Sequence, residues 1–226
     1  MGLTIAVGIL DMLDDDEEMV ESFVAEFDAI SELLPQPNSF EEHSLGDESA
    51  DASYECDLVG YGALHKLRRI AAHIDETGEV PPPMSNAQSD PLLERYYANK
   101  GQKIPDLGEP YDPAQGFQHL IWHSDAEGYY VPVDFAVVIV APDALQITGT
   151  LIGSSQRLLD ACERLATVLG IPPGLTADDP DVWHAVENWS ADATGWRRYP
   201  VETHTCCALR EAAKASVGTG CAIVFG

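Results

Sequence analysis

Four residues in one short segment carry the side chains that metal sites and proton-transfer sites use. His119, His123, Asp125 and Glu127 lie in the sequence HLIWHSDAEGYY. Two histidines four residues apart share one face of a helix, a spacing that suits zinc, and Asp125 or Glu127 could supply an oxygen ligand. The segment is therefore a candidate zinc site, with His119, His123 and Asp125 as ligands, or a candidate acid–base site that uses all four residues.

The residues around these four favour a third interpretation. Zinc proteases with this histidine spacing have glutamate directly after the first histidine, whereas this chain has Leu120. Ser124, Asp125 and Gly128 favour a turn in which side chains bond to the backbone, and a turn would end the helix and spoil its spacing. The same residues therefore also predict a structural turn without a metal or other cofactor. The three interpretations stay open.

A second polar group recurs on a predicted helix. His65, Arg69 and His73 are four residues apart, so they share one face of that helix. Arg69 could form a bidentate ion pair with Asp125 or Glu127, or it could bind an anionic ligand. A small-ligand pocket would draw on both groups and on the two neighbouring tyrosines, namely His65, Arg69, His73, Asp125, Glu127, Tyr129 and Tyr130.

The charge of the chain limits its partners. Thirty-eight Asp and Glu face twelve Lys and Arg, which gives a formal net charge of −26. Direct binding of nucleic acid needs clustered cations, so the sequence predicts none. The same field attracts a basic protein partner, because opposite potentials steer encounter. Solubility in a salty cytoplasm is the alternative explanation of the charge.

Other motifs add no reaction. The phosphate-binding patterns GxGxxG and GxxxxGK[ST] and the nucleophile elbow GxSxG are absent from the sequence. His204 lies close to Cys206 and Cys207, which would suit a thiolate nucleophile, but residues two apart on a helix point in different directions. The five cysteines include no CxxC pair, which predicts reduced thiols and a cytoplasmic protein. The start lacks the basic region of a signal peptide, and no apolar run suits a membrane span.

Hydrophobic periodicity predicts an alternation of strands, helices and two long loops. The predicted strands are 3–10, 129–135, 137–140 and 221–225, and 145–152 is either a strand or the approach to a helix. The predicted helices are 14–34, 60–74, a short one from 118, 155–169, one opened by Asp179 and Pro180, and 202–217. Residues 38–57 and 79–112 are acidic or rich in proline and glycine, which predicts long exposed loops, the second with room for one short helix.

The order of these elements predicts the fold class. Strands at both ends of the chain frame several helices, and strand and helix do not alternate regularly. We therefore expect an α+β fold, with a mixed sheet, helices packed on it, and one domain over residues 1–226.

Several blocks of the sequence resemble a known group of proteins. The segments YGALHKLRRIAAHI, HLIWHSDAEGYYVPVDF and GSSQRLL and the ending REAAKASVGTGCAIVFG are similar to a widespread uncharacterised bacterial family, common in actinobacteria, that carries an HSD-x-EGYYVP block. The resemblance covers most of the chain and implies a fold, but no activity. Small acidic proteins of this kind are also similar to immunity proteins and antitoxins, by analogy only.

These observations favour a non-catalytic protein. The charge, the two acidic loops and the lack of a complete catalytic set favour an acidic binding protein of immunity or antitoxin type with a basic protein partner. A metal-dependent or acid–base enzyme at His119, His123, Asp125 and Glu127 is the first alternative. A small-ligand sensor that uses Arg69 is the second.

Overall fold

The computed structural model describes residues 3–13, 16–35, 38–44, 53–60, 62–98 and 116–226. The strands of this part of the chain are β1 (Thr4–Val7), β2 (Tyr54–Asp57), β3 (Gly128–Val131), β4 (Ile139–Val140), β5 (Leu151–Ser154) and β6 (Ile223–Phe225). Its α-helices are α1 (Ile9–Met12), α2 (Glu17–Leu33), α3 (Gly62–Thr77), α4 (Pro91–Ala98), α5 (Gln118–Ile121), α6 (Ser155–Leu169), α7 (Pro180–Glu187) and α8 (Pro200–Thr219).

The six strands form one mixed sheet in the order β2-β1-β6-β3-β5-β4. β3 and β5 are parallel, and the other neighbouring pairs are antiparallel. The two terminal strands of the chain, β1 and β6, lie side by side in the middle of this sheet. The predicted α+β class with a mixed sheet is confirmed.

Alternation along the strands divides the core into two layers. Ile5, Tyr130 and Phe225 point to the face on which α3, α6 and α8 pack together. Tyr129 and Val224 point to the other face, which α2 covers. A single helix is about 10 Å wide and neighbouring strands are about 4.8 Å apart, so α2 covers roughly two of the six strands.

Helix α2 is held to the sheet by one stripe of apolar residues. Phe27 and Ile30 are buried, and the Phe27 ring lies edge-on to Tyr129 with 5.4 Å between ring centroids. The Asp16 carboxylate begins the helix by accepting a hydrogen bond from the backbone N–H of Met19, 3.1 Å away. Helical periodicity in the sequence also predicts Met19 and Val24 on the buried stripe, but both are exposed in the structure.

The first predicted loop was wrong at its end, whereas the second contains the one short helix for which it had room. The last four residues of the first loop, 38–57, form β2, which pairs with β1. The second loop, 79–112, contains a 3-10 turn (Ala87–Ser89) and α4. Residues 45–52 and 99–112 lie outside the described residues. β2 escapes prediction because an edge strand with only Tyr54 and Cys56 on its inner face carries little hydrophobic signal.

Several predicted strands are shorter in the structure. β1 ends at Val7 rather than residue 10, because Gly8 turns the backbone to a φ of 80° and begins α1. β3 ends at Val131, because Pro132 has no N–H to donate to the sheet. The 137–140 strand is limited to Ile139 and Val140, and 145–152 resolves into a 3-10 turn followed by β5. Of the two serines that could cap α6 by sequence, Ser154 and Ser155, the structure has Ser154, and Asp179 caps α7 as predicted.

Gly153 on β5 lies directly beside Tyr130 of β3, and its lack of a side chain leaves room for the Tyr130 ring. A Cβ atom on Gly153 would lie 2.3 Å from a carbon of the Tyr130 ring. We expect Gly153→Ala to destabilise the protein by about 2 kcal/mol or more, since Tyr130 is fully buried and cannot retreat. The free energy of unfolding in urea measures this. Gly174→Ala is the matched control, because nothing lies within 4 Å of the added atom there. Equal effects of the two substitutions would contradict this account.

Candidate functional site: an acidic surface and an adjoining apolar cleft

The side chains of His119 and His123, the two histidines of the segment HLIWHSDAEGYY, do not converge on one point. Helix α5 ends at Ile121, so its last turn does not carry His123 on the face of His119. The Nδ1 of His119 accepts a hydrogen bond from the backbone N–H of Ser154 at 2.9 Å. The Nε2 of His123 donates to the backbone carbonyl of Tyr129 at 3.0 Å, and its ring stacks on Tyr130. Each imidazole is thus engaged by the β-strands behind it.

Burial keeps both imidazoles neutral. Desolvation lowers the pKa of His119 to about 4, against a smaller opposing effect of the backbone at Ala136. Desolvation likewise lowers the pKa of His123 to about 3, although the hydrogen bond to the Tyr129 backbone favours the charged form. A proton donor or acceptor at neutral pH needs a pKa near 7, so neither ring is tuned for that role.

The acidic residues of the block face elsewhere. Asp125 forms an ion pair with Arg68, which is fully buried and also donates to the carbonyls of Leu120 and Ser124. Glu127 is exposed. In the part of the chain that the structure describes, no group of three or more His, Cys, Asp or Glu could hold a metal ion. The predicted zinc and acid–base residues are therefore not assembled into one centre.

The predicted pairing of Arg69 with Asp125 or Glu127 is wrong. Arg69 instead bonds Asp90 through Nε at 2.6 Å, and His73 bonds the same carboxylate oxygen at 3.0 Å. Burial alone would raise the pKa of Asp90, but these bonds and backbone N–H groups at the start of α4 hold it at about 2. The prediction that an arginine of this helix pairs with Asp125 is correct, but that arginine is Arg68 and not its neighbour Arg69.

The other residues predicted to bind a small ligand also stabilise the fold. His65 is buried and hydrogen-bonds the Tyr97 hydroxyl at 2.7 Å. The Tyr130 hydroxyl donates to the carbonyl of His119. Tyr129 is buried on the opposite face of the sheet, where it lines the cleft described below. The structure brings His65 to within 3.7 Å of Asp125, but Arg69 and His73 engage Asp90 and Tyr129 points to the other face of the sheet. The predicted residues are therefore not gathered around one pocket.

The acidic residues are distributed very unevenly along the sequence. The segment before Lys66, the first basic residue, contains seventeen Asp and Glu and no Lys or Arg. The rest of the chain carries the other twenty-one acidic and all twelve basic side chains. The segment before Lys66 therefore holds seventeen of the twenty-six net negative charges. This signal is readable in the sequence, but only when charge is counted by segment.

Helix α2 displays much of this charge on one face. Its exposed acidic residues fall within about 100° around the helix axis, roughly opposite to the apolar stripe of Phe23, Phe27 and Ile30. They are Glu17, Glu18, Glu21, Asp28 and Glu32. Since the apolar stripe faces the sheet, the acidic face points directly to solvent. We call this set the α2 acidic face.

Two of these residues are placed against the preference of the helix. Glu32 lies in the last turn of α2 and Asp28 one turn before it, and the last turn has no basic residue. A helix C-terminus carries partial negative charge, so Glu32 is unfavourable there by about 0.3–1 kcal/mol. Asp28 lies four residues before Glu32, so the two like charges also repel each other. Helix stability therefore does not explain their presence.

Most of the basic residues that the structure describes are committed elsewhere and do not neutralise this surface. Several form ion pairs within the rest of the chain, namely Arg68–Asp125, Arg69–Asp90, Arg95–Glu76, Arg157–Asp134 and Arg197–Asp181. Arg210 is buried and donates to the carbonyl of Leu175. None of these partners belongs to α2.

The negative surface continues onto the edge of the sheet. Glu55 and Asp57 on the edge strand β2 are exposed and alternate with the inward Tyr54 and Cys56. A shallow depression of about 420 Å³ joins Glu55 and Asp57 to Asp178, which lies shortly before α7.

An apolar cleft of about 590 Å³ separates the sheet from the N-terminal half of α2. Its lining includes Glu26 and Glu55 together with apolar residues of α1, α2 and the sheet: Ala6, Ile9, Met12, Leu13, Met19, Phe23, Tyr129, Val224 and Phe225. The Glu26 carboxylate accepts hydrogen bonds from the Tyr129 hydroxyl at 2.8 Å and from the backbone and hydroxyl of Thr148. These bonds fasten the middle of α2 to the sheet at one end of the cleft.

These features define an α+β protein with a rigid negative surface. Among the described helices, none is both long enough and apolar enough to cross a bilayer. The chain belongs to the family described as "Putative DNA-mimic protein", whose model matches residues 1–225. No curated protein and no solved structure matches it.

This family corrects the predicted partner. The sequence predicted a basic protein partner and no direct binding of nucleic acid. The family description instead relates its members to DNA by imitation, so a partner defined by basic charge alone is not the right description. The resemblance based on the HSD-x-EGYYVP block and the cytoplasmic location stay predictions.

The neutral histidines predict a loss of stability in mild acid. Their folded pKa values lie below the unfolded value of about 6.5, so the unfolded chain takes up protons first as the pH falls. We expect each histidine to remove about 2 kcal/mol from the free energy of unfolding between pH 7 and pH 5. Urea denaturation at both pH values measures the total.

A variant separates this effect from the titration of carboxylates. His123→Gln should lose about half of the histidine contribution, and His119→Gln provides a second test if the first variant folds poorly. A pH dependence identical to that of the wild type in both variants would show that these rings are not responsible.

Proposed function

We propose that this chain is a non-catalytic DNA mimic that occupies the DNA-binding site of a DNA-binding protein and so displaces duplex DNA. The observation that carries the proposal is the run of seventeen acidic and no basic residues before Lys66, displayed in part on α2 and β2. Family membership supports it. An immunity or antitoxin role is a narrower form of this function, in which the DNA-binding protein that the chain occupies is a toxin.

The spacing of the charges suits this role. Residues 16 to 32 span about 24 Å of helix axis, at about 1.5 Å per residue. With Asp16, the exposed acidic residues of α2 number six, which gives one negative charge about every 5 Å. One DNA strand carries one phosphate charge about every 3.4 Å of its axis. The helix thus approaches the charge density of one strand, and a row of cations that fits a strand can meet several carboxylates.

Rigidity makes this arrangement effective. Phe27 and Ile30 fix the rotation of α2, and the hydrogen bonds of Glu26 fix its position along the sheet. A preorganised surface loses little conformational entropy on binding, so more of the electrostatic attraction appears as affinity. A disordered acidic segment of equal charge would lose more.

Competition with DNA tests the proposal. A lysate of the source cells is first passed over duplex-DNA cellulose, which captures DNA-binding proteins. The captured proteins are eluted with salt, desalted and passed over the immobilised chain. We expect a retained protein that a duplex of about 20 base pairs releases. The retained protein is then purified and bound to a fluorescent duplex. Addition of the free chain should release the duplex, which fluorescence anisotropy measures. Displacement should weaken steeply with salt.

Two variants of equal net charge provide the decisive comparison. The first neutralises the α2 acidic face by Glu18→Gln, Glu21→Gln, Asp28→Asn and Glu32→Gln. The second neutralises four exposed residues on the far side of the sheet, by Asp160→Asn, Glu163→Gln, Glu187→Gln and Asp192→Asn. We expect the first to displace DNA about tenfold less well, with a shallower salt dependence, and the second to resemble the wild type. Equal losses, or retained proteins that duplex DNA does not release, would refute the proposal.

A surface kept for binding should also cost stability. We expect Asp28→Asn combined with Glu32→Gln to raise the free energy of unfolding by about 1 kcal/mol at low salt, because Glu32 opposes the helix dipole and the two carboxylates, four residues apart, repel each other. The gain should vanish at high salt, where these exposed charges are screened. Urea denaturation at two salt concentrations measures it. A loss of stability would mean that these residues serve the fold.

A further inference from the structure

The apolar cleft beside α2 is unlike anything on a DNA backbone. A surface that only imitated phosphates would need exposed carboxylates and nothing else. Here the sheet face next to β2 is left open by α2, and Ala6, Ile9, Phe23 and Val224 contribute apolar surface to it. Its volume of about 590 Å³ lies in the range of ligand pockets and is ample for an aromatic side chain.

The mouth of the cleft combines adaptable apolar groups with negative charge. Met12 and Met19 line the cleft and are 37% and 43% exposed. Methionine is flexible and polarizable, which suits it to binding surfaces that adapt to a partner. Glu55 lies on the sheet side, and Glu18 lies one turn before Ser22, another lining residue, on the same ridge of α2.

We propose that this cleft receives an apolar or aromatic side chain that is flanked by lysines or arginines in the DNA-contacting segment of the partner. The inference rests on the proposed function and names the partner chemistry at one point of that surface. The flanking cations meet Glu18 and Glu55, and the apolar side chain buries against Met12, Met19 and the sheet. Charge complementarity requires that the segment that enters the cleft also carry cations, because an apolar segment without cations would leave the acidic rim unpaired.

The cleft and the α2 acidic face then contribute differently to recognition. Charge steers encounter and is weakened by salt, whereas burial of apolar surface is much less sensitive to ionic strength. An aromatic anchor would therefore select among DNA-binding proteins that present equally basic surfaces.

Two synthetic peptides of equal charge test this inference on the full chain. One has a phenylalanine between two short runs of lysine, and the other has alanine at the same place. We expect the phenylalanine peptide to bind about tenfold more tightly, the change that burial of an aromatic side chain produces. The ratio of the two dissociation constants should stay constant as salt rises, while both affinities fall.

Methionine methyl signals locate the contact. The chain has four methionines, and Met84 lines a different pocket, so it serves as an internal control. In ¹³C-methyl spectra, the phenylalanine peptide should shift Met12 and Met19 but not Met84. Met19→Gln should reduce the tenfold preference to about threefold or less. Val24→Gln, an equally exposed apolar position on α2 outside the cleft, should preserve the preference.

Each outcome decides the question. Equal affinities of the two peptides, an unchanged preference in Met19→Gln, or shifts at Met84 equal to those at Met12 and Met19 would each overturn the cleft inference. The two proposals fail separately. If the chain does not displace duplex DNA, the proposed function fails whatever the peptides do. If displacement holds while the peptides bind equally, only the cleft inference fails.

Discussion

The structure depends on holding a uniformly negative helix against a sheet from one side only. The acidic residues of α2 repel one another, and no Lys or Arg precedes Lys66 in the sequence to relieve that repulsion. The opposing attraction comes from the buried face, where Phe27 packs on Tyr129 and Phe40. Glu26 adds hydrogen bonds to Tyr129 and Thr148. Apolar contacts and one anchored carboxylate thus allow the outer face to stay free of counter-charge.

The rest of the chain makes this segregation possible by using its own cations internally. The Arg68 guanidinium is fully buried and joins α3 to Asp125 and to the carbonyls of Leu120 and Ser124. Arg69 likewise joins α3 to the start of α4 through Asp90. A buried arginine that lost its carboxylate would be strongly destabilising, so these cations are not available to the surface. The fold therefore separates a helical layer whose cations are paired internally from a negative surface on α2 that has no cation before Lys66 in the sequence.

The sequence allowed the general fold to be predicted, but not the contacts that decide its site. The α+β class, the caps at Ser154 and Asp179 and the position of most helices follow from periodicity and local chemistry, which act within a few residues. The edge strand β2 is too short and too polar for such signals. The exchange of Arg68 for Arg69 is a matter of side-chain direction, because adjacent helical residues differ by about 100°. Only the packing of α3 decides which of them meets Asp125.

The spacing of His119 and His123 was a misleading guide to function, whereas the distribution of charge along the sequence was an informative one. His119 and His123 have the spacing of a metal site, yet their partners in the fold decide their environment. Those partners are Tyr129 and Tyr130, at the end of the same segment, and Ser154, which is distant in sequence. Spacing specifies a site only if the helix continues, and α5 ends at Ile121. Charge, in contrast, acts over about 8–10 Å at moderate salt and needs no exact geometry. The absence of cations before Lys66 therefore predicts a field more reliably than the block predicts a centre, and the surface that produces this field also borders the cleft where selectivity would arise.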